Sequence, residues 1–246
     1  MLKIKKINAE RAIGALVLTS FLVPIIFLIY RIITTPSTGV GAEMRVRPDY
    51  VLMLVQCILG VIALILPSAL TKKFSIQIPS IMYLMFMIFL WCAIFLGEIG
   101  KFYYNVPHWD TVLHAFSGAM LGALGFSFVS LLNEHKKIDF SLSPMFVTIF
   151  AFCFALSLGV LWEIYEFTFD RILNLNMQKF MLADGTPLVG AAALEDTMKD
   201  LIVDAVGALT MSAIGYISIK YKKGWLEKVL LKFTVNDKED ATNLSE

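Results

Sequence analysis

Six stretches of the chain run almost without a polar break: Ala12–Ile33, Tyr50–Leu70, Ile78–Gly97, Thr111–Leu132, Pro144–Phe167 and Leu194–Ile219. Each is close to the ~20 residues a helix needs to cross ~30 Å of hydrocarbon. The pattern predicts an all-α, polytopic transmembrane helical bundle of about six spans, forming one domain over residues 1–233. The first run is too long for the apolar core of a signal peptide and no A-x-A site follows it, so it reads as an anchor. Between the runs, Thr34–Asp49 carries Pro36, Gly39, Gly41 and Pro48 and reads as an irregular outer loop. Asp170–Ala193 carries the turn signal Asp184-Gly185-Thr186-Pro187 after a part-apolar stretch expected on the surface. Beyond the last span, Trp225, Leu226, Val229, Leu230 and Phe233 face away from Lys223, Glu227, Lys228 and Lys232. That pattern predicts a short interfacial helix over 221–233, followed by a polar, disordered tail at 234–246.

Composition agrees with the pattern. The chain is 58% hydrophobic and 17% charged, with a mean hydropathy of +0.73, which places it in the membrane class with the lipid bilayer as its surroundings. The net charge of +1 points to no particular partner, and no basic patch interleaved with aromatics marks a nucleic-acid surface. Cys57, Cys92 and Cys153 all lie inside apolar runs and read as small packing residues rather than as a disulfide or metal framework.

Lysine and arginine set the expected orientation. Fourteen of the chain's 21 basic residues fall before the first span, in the second-to-third and fourth-to-fifth connections, and after the last span. The other seven (Arg31, Arg45, Arg47, Lys101, Arg171, Lys179 and Lys199) fall on the opposite side. Both termini are therefore expected in the cytoplasm.

The candidate chemistry lies at four span ends. Glu98 ends the third span, Asp110 and His114 open the fourth, Glu163 and Glu166 end the fifth, and Asp196, Asp200 and Asp204 open the sixth. Spacings of three and four put each set on one helical face. With cytoplasmic termini, all eight groups fall at the outer membrane level. A charged side chain at mid-bilayer costs ~2.5–3.5 kcal/mol, so these groups should face a shared interior rather than lipid. Seven carboxylates crowded there must share protons or bind a cation. A plainer reading treats them as interfacial acids, with Asp110 and Asp196 meeting the positive ends of their helix dipoles.

Small residues at Gly118-x-x-x-Gly122 and at Gly207, Ala208, Ser212 and Gly215 favour close helix packing. Trp109 and Trp162 precede acidic positions and are candidates for walls of the site. An internal repeat is also visible. Leu96-Gly97-Glu98-Ile99 aligns with Leu161-Trp162-Glu163-Ile164, and Asp110-x-x-x-His114-Ala115 aligns with Asp200-x-x-x-Asp204-Ala205. The repeat predicts two hairpins of like orientation around a pseudo-twofold acidic site.

The run FYYNVPHWDTVLHAFSGA, the later WEIYE and the segment DTMKDLIVDAVGA resemble the uncharacterised bacterial inner-membrane family typified by YjdF, over the third to sixth spans. The D-x-x-x-H, E-x-x-E and D-x-x-x-D-x-x-G series is more distantly similar to VanZ-like membrane proteins, with Glu166 and Asp204 standing where that family carries amides. These resemblances imply a fold and a site location but no reaction.

Three functions follow from the residues. The first is a metal-dependent membrane enzyme acting on a lipid-linked or cell-envelope substrate. In it Asp110, His114, Glu163, Glu166, Asp200 and Asp204 supply ligands and a general base, with Glu98 and Asp196 as further candidate ligands. One imidazole among carboxylates favours Mg²⁺, Mn²⁺ or Ca²⁺, and also admits Zn²⁺ or iron. The second is a transporter. The cytoplasmic halves Ile78–Leu90, Gly122–Leu132, Pro144–Gly159 and Ala208–Ile219 hold no Asp, Glu, Lys, Arg or His, which argues against a charged path. The third is a non-catalytic protein whose bound cation or shared protons hold the bundle together.

Overall fold

The computed structural model describes residues 2–36, 45–134, 142–182 and 186–233, with side chains from 9 to 133 and from 142 onward within those stretches. In chain order the helices are α1 (Leu2–Thr34), α2 (Arg47–Phe74), α3 (Ser80–Leu90), α4 (Phe102–Asn105), α5 (Trp109–Glu134), α6 (Pro144–Leu173) and α7 (Glu195–Lys220). Six helical stretches are long and apolar enough to cross a membrane, the third being α3 continued to Ile99. The chain is a multi-pass transmembrane helical bundle. The surface inverts that of a water-soluble protein. Ile26 and Ile33 are 79% and 74% exposed, whereas Glu98, His114, Glu163, Asp200 and Asp204 are buried. Apolar side chains facing outward have lipid as their solvent, and polar ones turn inward.

Two helical groups make up the bundle. Val17, Phe21 and Leu28 of α1 pack with Met53, Cys57 and Leu64 of α2 and with Met87 and Leu90 of α3. The other group is α5, α6 and α7. Here α6 begins at Ser143, whose hydroxyl accepts from Phe146 N–H, with Pro144 at the first helical position.

Three segments depart from the sequence expectation. The third span is not a uniform α-helix, because Trp91–Ile99 winds as a π-helix and closes with Gly100 N–H donating to Phe95 O at 2.8 Å. Wider winding re-aims the residues along it, among them Glu98. Residues 221–233 do not form an interfacial helix. Trp225–Lys228 is a single 3₁₀ turn, and Lys232–Phe233 forms a strand (β2) paired antiparallel with Ile76–Gln77 (β1). Leu226 is buried against Phe126, Val129, Val147 and Ala151, so this part of the segment covers the end of the bundle, while Trp225 stays exposed. The part-apolar stretch after Asp170 is likewise not a surface layer, since Leu175 and Met177 are buried with Leu52 of α2. Gly39, Gly41, Lys136, Lys137, the Asp184-Gly185 pair and the tail at 234–246 lie outside the described residues.

Candidate metal centre and cavity

Close approach of two backbones builds the centre. A Cβ added to Gly207 would lie 2.3 Å from the Ala115 carbonyl oxygen, and one added to Gly118 would lie 2.5 Å from that of Asp204. No side chain fits at either crossing point, so α5 and α7 touch backbone to backbone. The contact is nearly reciprocal: Gly118 meets the helix beside Asp204, and Gly207 meets it beside His114. That is the relation expected of two like hairpins. Gly159 of α6 completes the arrangement, because a Cβ there would lie 2.7 Å from Asp204 Oδ2. Its lack of a side chain is what admits that carboxylate between the helices.

His114 sits among three aspartates. Its Nδ1 is 3.3 Å from Asp204 Oδ2, while Nε2 is 3.7 Å from both Asp110 Oδ1 and Asp200 Oδ2. Ser117, one turn along α5, shares its hydroxyl proton between the His114 carbonyl oxygen at 2.9 Å and the other Asp204 oxygen at 3.2 Å. In the tautomer that donates Nδ1–H to Asp204, Nε2 is the free ring nitrogen facing Asp110 and Asp200, as when a carboxylate fixes the tautomer of a metal-ligating histidine. One ligand atom each from Asp110, His114 and Asp200 lies within 4.8 Å of the others. Metal bonds of ~2.0–2.2 Å would hold such atoms about 3.0–3.5 Å apart, so small side-chain shifts would close the set around an ion. Glu163 is 4% exposed, and neither of its carboxylate oxygens has a hydrogen-bond partner among the described residues. It stands one turn along α6 from Gly159, on the same helical face that meets Asp204, which brings this carboxylate toward the same group.

A residue that sequence reading counted only for its charge enters the site from the α6–α7 connection. Lys179 Nζ pairs with Asp110 Oδ2 and lies 3.2 Å from Asp196 Oδ1. The loop that carries it is tightly built. The Asp170 carboxylate accepts from Met177 N–H at 2.7 Å and from Gln178 N–H at 3.0 Å. Asn176 exchanges side-chain bonds with the Met181 backbone, and Gln178 Nε2 donates to Thr197 Oγ1. Burial opposes the charge on Lys179, but the Asp110 and Asp196 carboxylates outweigh it and hold the ammonium above its ordinary pKa. Tyr103, beneath Lys179 at 5.7 Å from ring centroid to Nζ, has its phenol pushed well above the usual value by burial and then by Asp110 and Glu98. It stays protonated.

The centre opens into a cavity of about 390 Å³. Its polar end carries Glu98, Tyr103, Asp110, His114, Glu166, Lys179 and Asp204. From there it runs along α5 past Ser117 to Met120 and Leu121, with Phe86, Phe89 and Leu90 of α3 and Leu158 of α6 as apolar walls. The eleven residue steps from Asp110 to Leu121 correspond to ~16 Å of helix, about half a bilayer core.

The eight sequence candidates thus divide. Asp110, His114, Asp200 and Asp204 form one group, Glu163 adjoins it, and Asp196 joins through Lys179. Glu98 and Glu166 line the cavity. Trp162 lines it too. Ser117 was legible as the next turn of the His114 face. Lys179, Asp170 and Gly159 were not, because nothing in their spacing ties them to α5 or α7.

A bundle of six apolar helices enclosing a buried acid–imidazole group defines a multi-pass membrane protein. Over residues 18–221 the chain matches the family described as "Predicted membrane protein (DUF2238)", and it belongs to that family. A protein of Thermotoga maritima named "Uncharacterized protein" is 36% identical over 122 residues, covering 49% of this chain and 54% of the relative. The match therefore spans about half the relative's length. No solved structure matches.

Proposed function

We propose that this protein sits in a bacterial inner membrane, holds a divalent cation at the extracytoplasmic end of its bundle, and uses it on a lipid-linked or cell-envelope substrate. The observation that carries the reading is the pairing of His114 Nδ1 with Asp204, which turns Nε2 toward Asp110 and Asp200 beside the unpartnered Glu163. Charge supports it. With His114 neutral, as a ligand must be, Asp110, Asp196, Asp200 and Asp204 carry four negative charges against the one positive charge of Lys179, and a divalent ion would reduce that excess from three to one. Asp110, His114 and Asp200 would be the ligands, with Glu163 within reach as a further ligand or a base. Asp204 and Ser117 would orient the imidazole. Mg²⁺, Mn²⁺ and Ca²⁺ suit the carboxylates best, with Zn²⁺ and iron as alternatives. Such an ion polarises a phosphoryl or acyl oxygen and acidifies a bound water.

The outer location rests on the lysine and arginine asymmetry, and the bacterial inner membrane on the YjdF-like and more distant VanZ-like motifs. A cavity joining the centre to an apolar bore supports a substrate with a hydrocarbon part. A second reading, a purely structural cation or proton-sharing site, draws on Lys179, which already neutralises part of the cluster. Elemental analysis of the gently purified full chain, followed by Mn²⁺ titration of wild type and His114→Asn, tests the cation. Bound divalent metal that His114→Asn loses is expected. Metal-free protein whose melting ignores both divalent ions and chelator would overturn it. A screen for hydrolysis of lipid-linked substrates, run on metal-loaded protein, then separates the enzyme from the structural site.

A further inference from the structure

The pairing of charges around the cavity leaves two carboxylates over. Four carboxylates line it: Glu98, Asp110, Glu166 and Asp204. Asp110 is matched by Lys179 and Asp204 by His114. Glu98 and Glu166 have no hydrogen bond or ion pair from their carboxylates to any described residue. Glu98 is only 7% exposed, so its carboxylate opens on the cavity and on little else. The nearby Arg45 turns Nη2 to the Glu98 and Ile99 carbonyl oxygens at 3.2 and 3.0 Å rather than to the Glu98 side chain. A buried, unpaired carboxylate is expensive, and either an added proton or a ligand cation relieves it.

The same end of the cavity is aromatic. Tyr103, Tyr104 and Trp162 line it alongside the two glutamates. Aromatic rings beside carboxylates are the combination that recognises an ammonium, through the ring faces and the opposite charge together. Below them the walls become Phe86, Phe89, Leu90, Met120, Leu121 and Leu158, with no charged group.

We propose that the cavity takes a single-tailed amphiphile with an ammonium head, the head held by Glu98 and Glu166 and the hydrocarbon tail laid along the bore between α3, α5 and α6. This deepens the lipid-substrate reading and rests on its assignment of the cavity as the substrate site. It does not rest on the metal, since neither Glu98 nor Glu166 belongs to the Asp110–His114–Asp200 group. The bore is narrow enough, at about 390 Å³ for the whole cavity, to favour one chain over two.

The test uses the full chain in detergent, with a C16 primary amine, the C16 alcohol and the C16 fatty acid as probes. Adducts are counted by native mass spectrometry, and the tryptophan emission, to which Trp162 contributes with Trp91, Trp109 and Trp225, is followed in parallel. The expected order is amine above alcohol above acid, with at least a tenfold preference for the amine over the alcohol. That preference should collapse in the Glu98→Gln, Glu166→Gln double variant while alcohol binding stays. The amine preference should persist in chelator, so failure of the metal reading leaves it intact. Equal binding of all three probes by wild-type protein, a result that needs no variant to fold, would show an apolar void without head-group recognition. Preference for the fatty acid would overturn the charge assignment outright.

Discussion

Replacing Gly207 by alanine tests whether backbone contact between α5 and α7 sets the centre. The new Cβ would start 2.3 Å from the Ala115 carbonyl oxygen, whereas real contacts of this kind do not fall below 3.0 Å and usually exceed 3.4 Å. The helices must therefore part by 0.7 to 1.1 Å. If that displacement falls along the His114–Asp204 vector, the 3.3 Å Nδ1–Oδ2 separation grows to between 4.0 and 4.4 Å, beyond a hydrogen bond. Overpacking costs about 1–3 kcal/mol and a stretched buried hydrogen bond about 1–2 kcal/mol, against a gain of about 1 kcal/mol in helix propensity. The net expectation is a loss of about 1–4 kcal/mol. Gly122→Ala is the control in the same helix pair. Its Cβ would meet Met211 Cβ at 3.2 Å, so the helices need part there by only a few tenths of an ångström, and the loss should be much smaller than at Gly207. Thermal and denaturant unfolding of both variants in one detergent is the assay. Equal stability of Gly207→Ala and wild type, or equal losses in the two variants, would refute the reasoning.

Lys179→Met should destabilise the protein by about 1–3 kcal/mol, between the value of an exposed pair and a buried one, since the ammonium is partly exposed. Because the folded pKa of Lys179 is raised, its contribution is full below the ordinary lysine value of 10.5 and is lost as pH climbs through the folded value. The gap between wild type and variant should thus be constant from pH 7 to about 10 and narrow above it, and a gap that widened with rising pH would contradict the assignment. His114→Asn and Asp204→Asn should each weaken Mn²⁺ binding, with the double variant little worse than either single, whereas simple additivity would separate the two residues energetically. Reporter fusions should place the C-terminus in the cytoplasm and the α6–α7 connection outside, and a reversed result would move the centre to the inner face.

The spans and the acid faces were legible in the sequence because both are local properties of a helix. Twenty apolar residues cross a bilayer whatever their neighbours are, and Asp110/His114 and Asp196/Asp200/Asp204 share faces because a helix repeats every 3.6 residues. Gly118 and Gly207 could be read as contact points on the same grounds. Tertiary structure alone decided which faces meet. Glu98 and Glu163 looked equivalent by alignment, yet π winding after Leu90 sends Glu98 to the cavity, while α6 buries Glu163 beside His114. Lys179 reaches Asp110 across 69 positions because Asp170 clamps the loop behind it, a closure that no short-range spacing encodes. At the other end of the bundle, the amphipathic pattern after Lys220 fits a membrane surface and a protein surface equally well. The strand pair with Ile76–Gln77 and the burial of Leu226 settle it for protein. Periodicity says which side of a segment is apolar, and only the fold supplies what covers it.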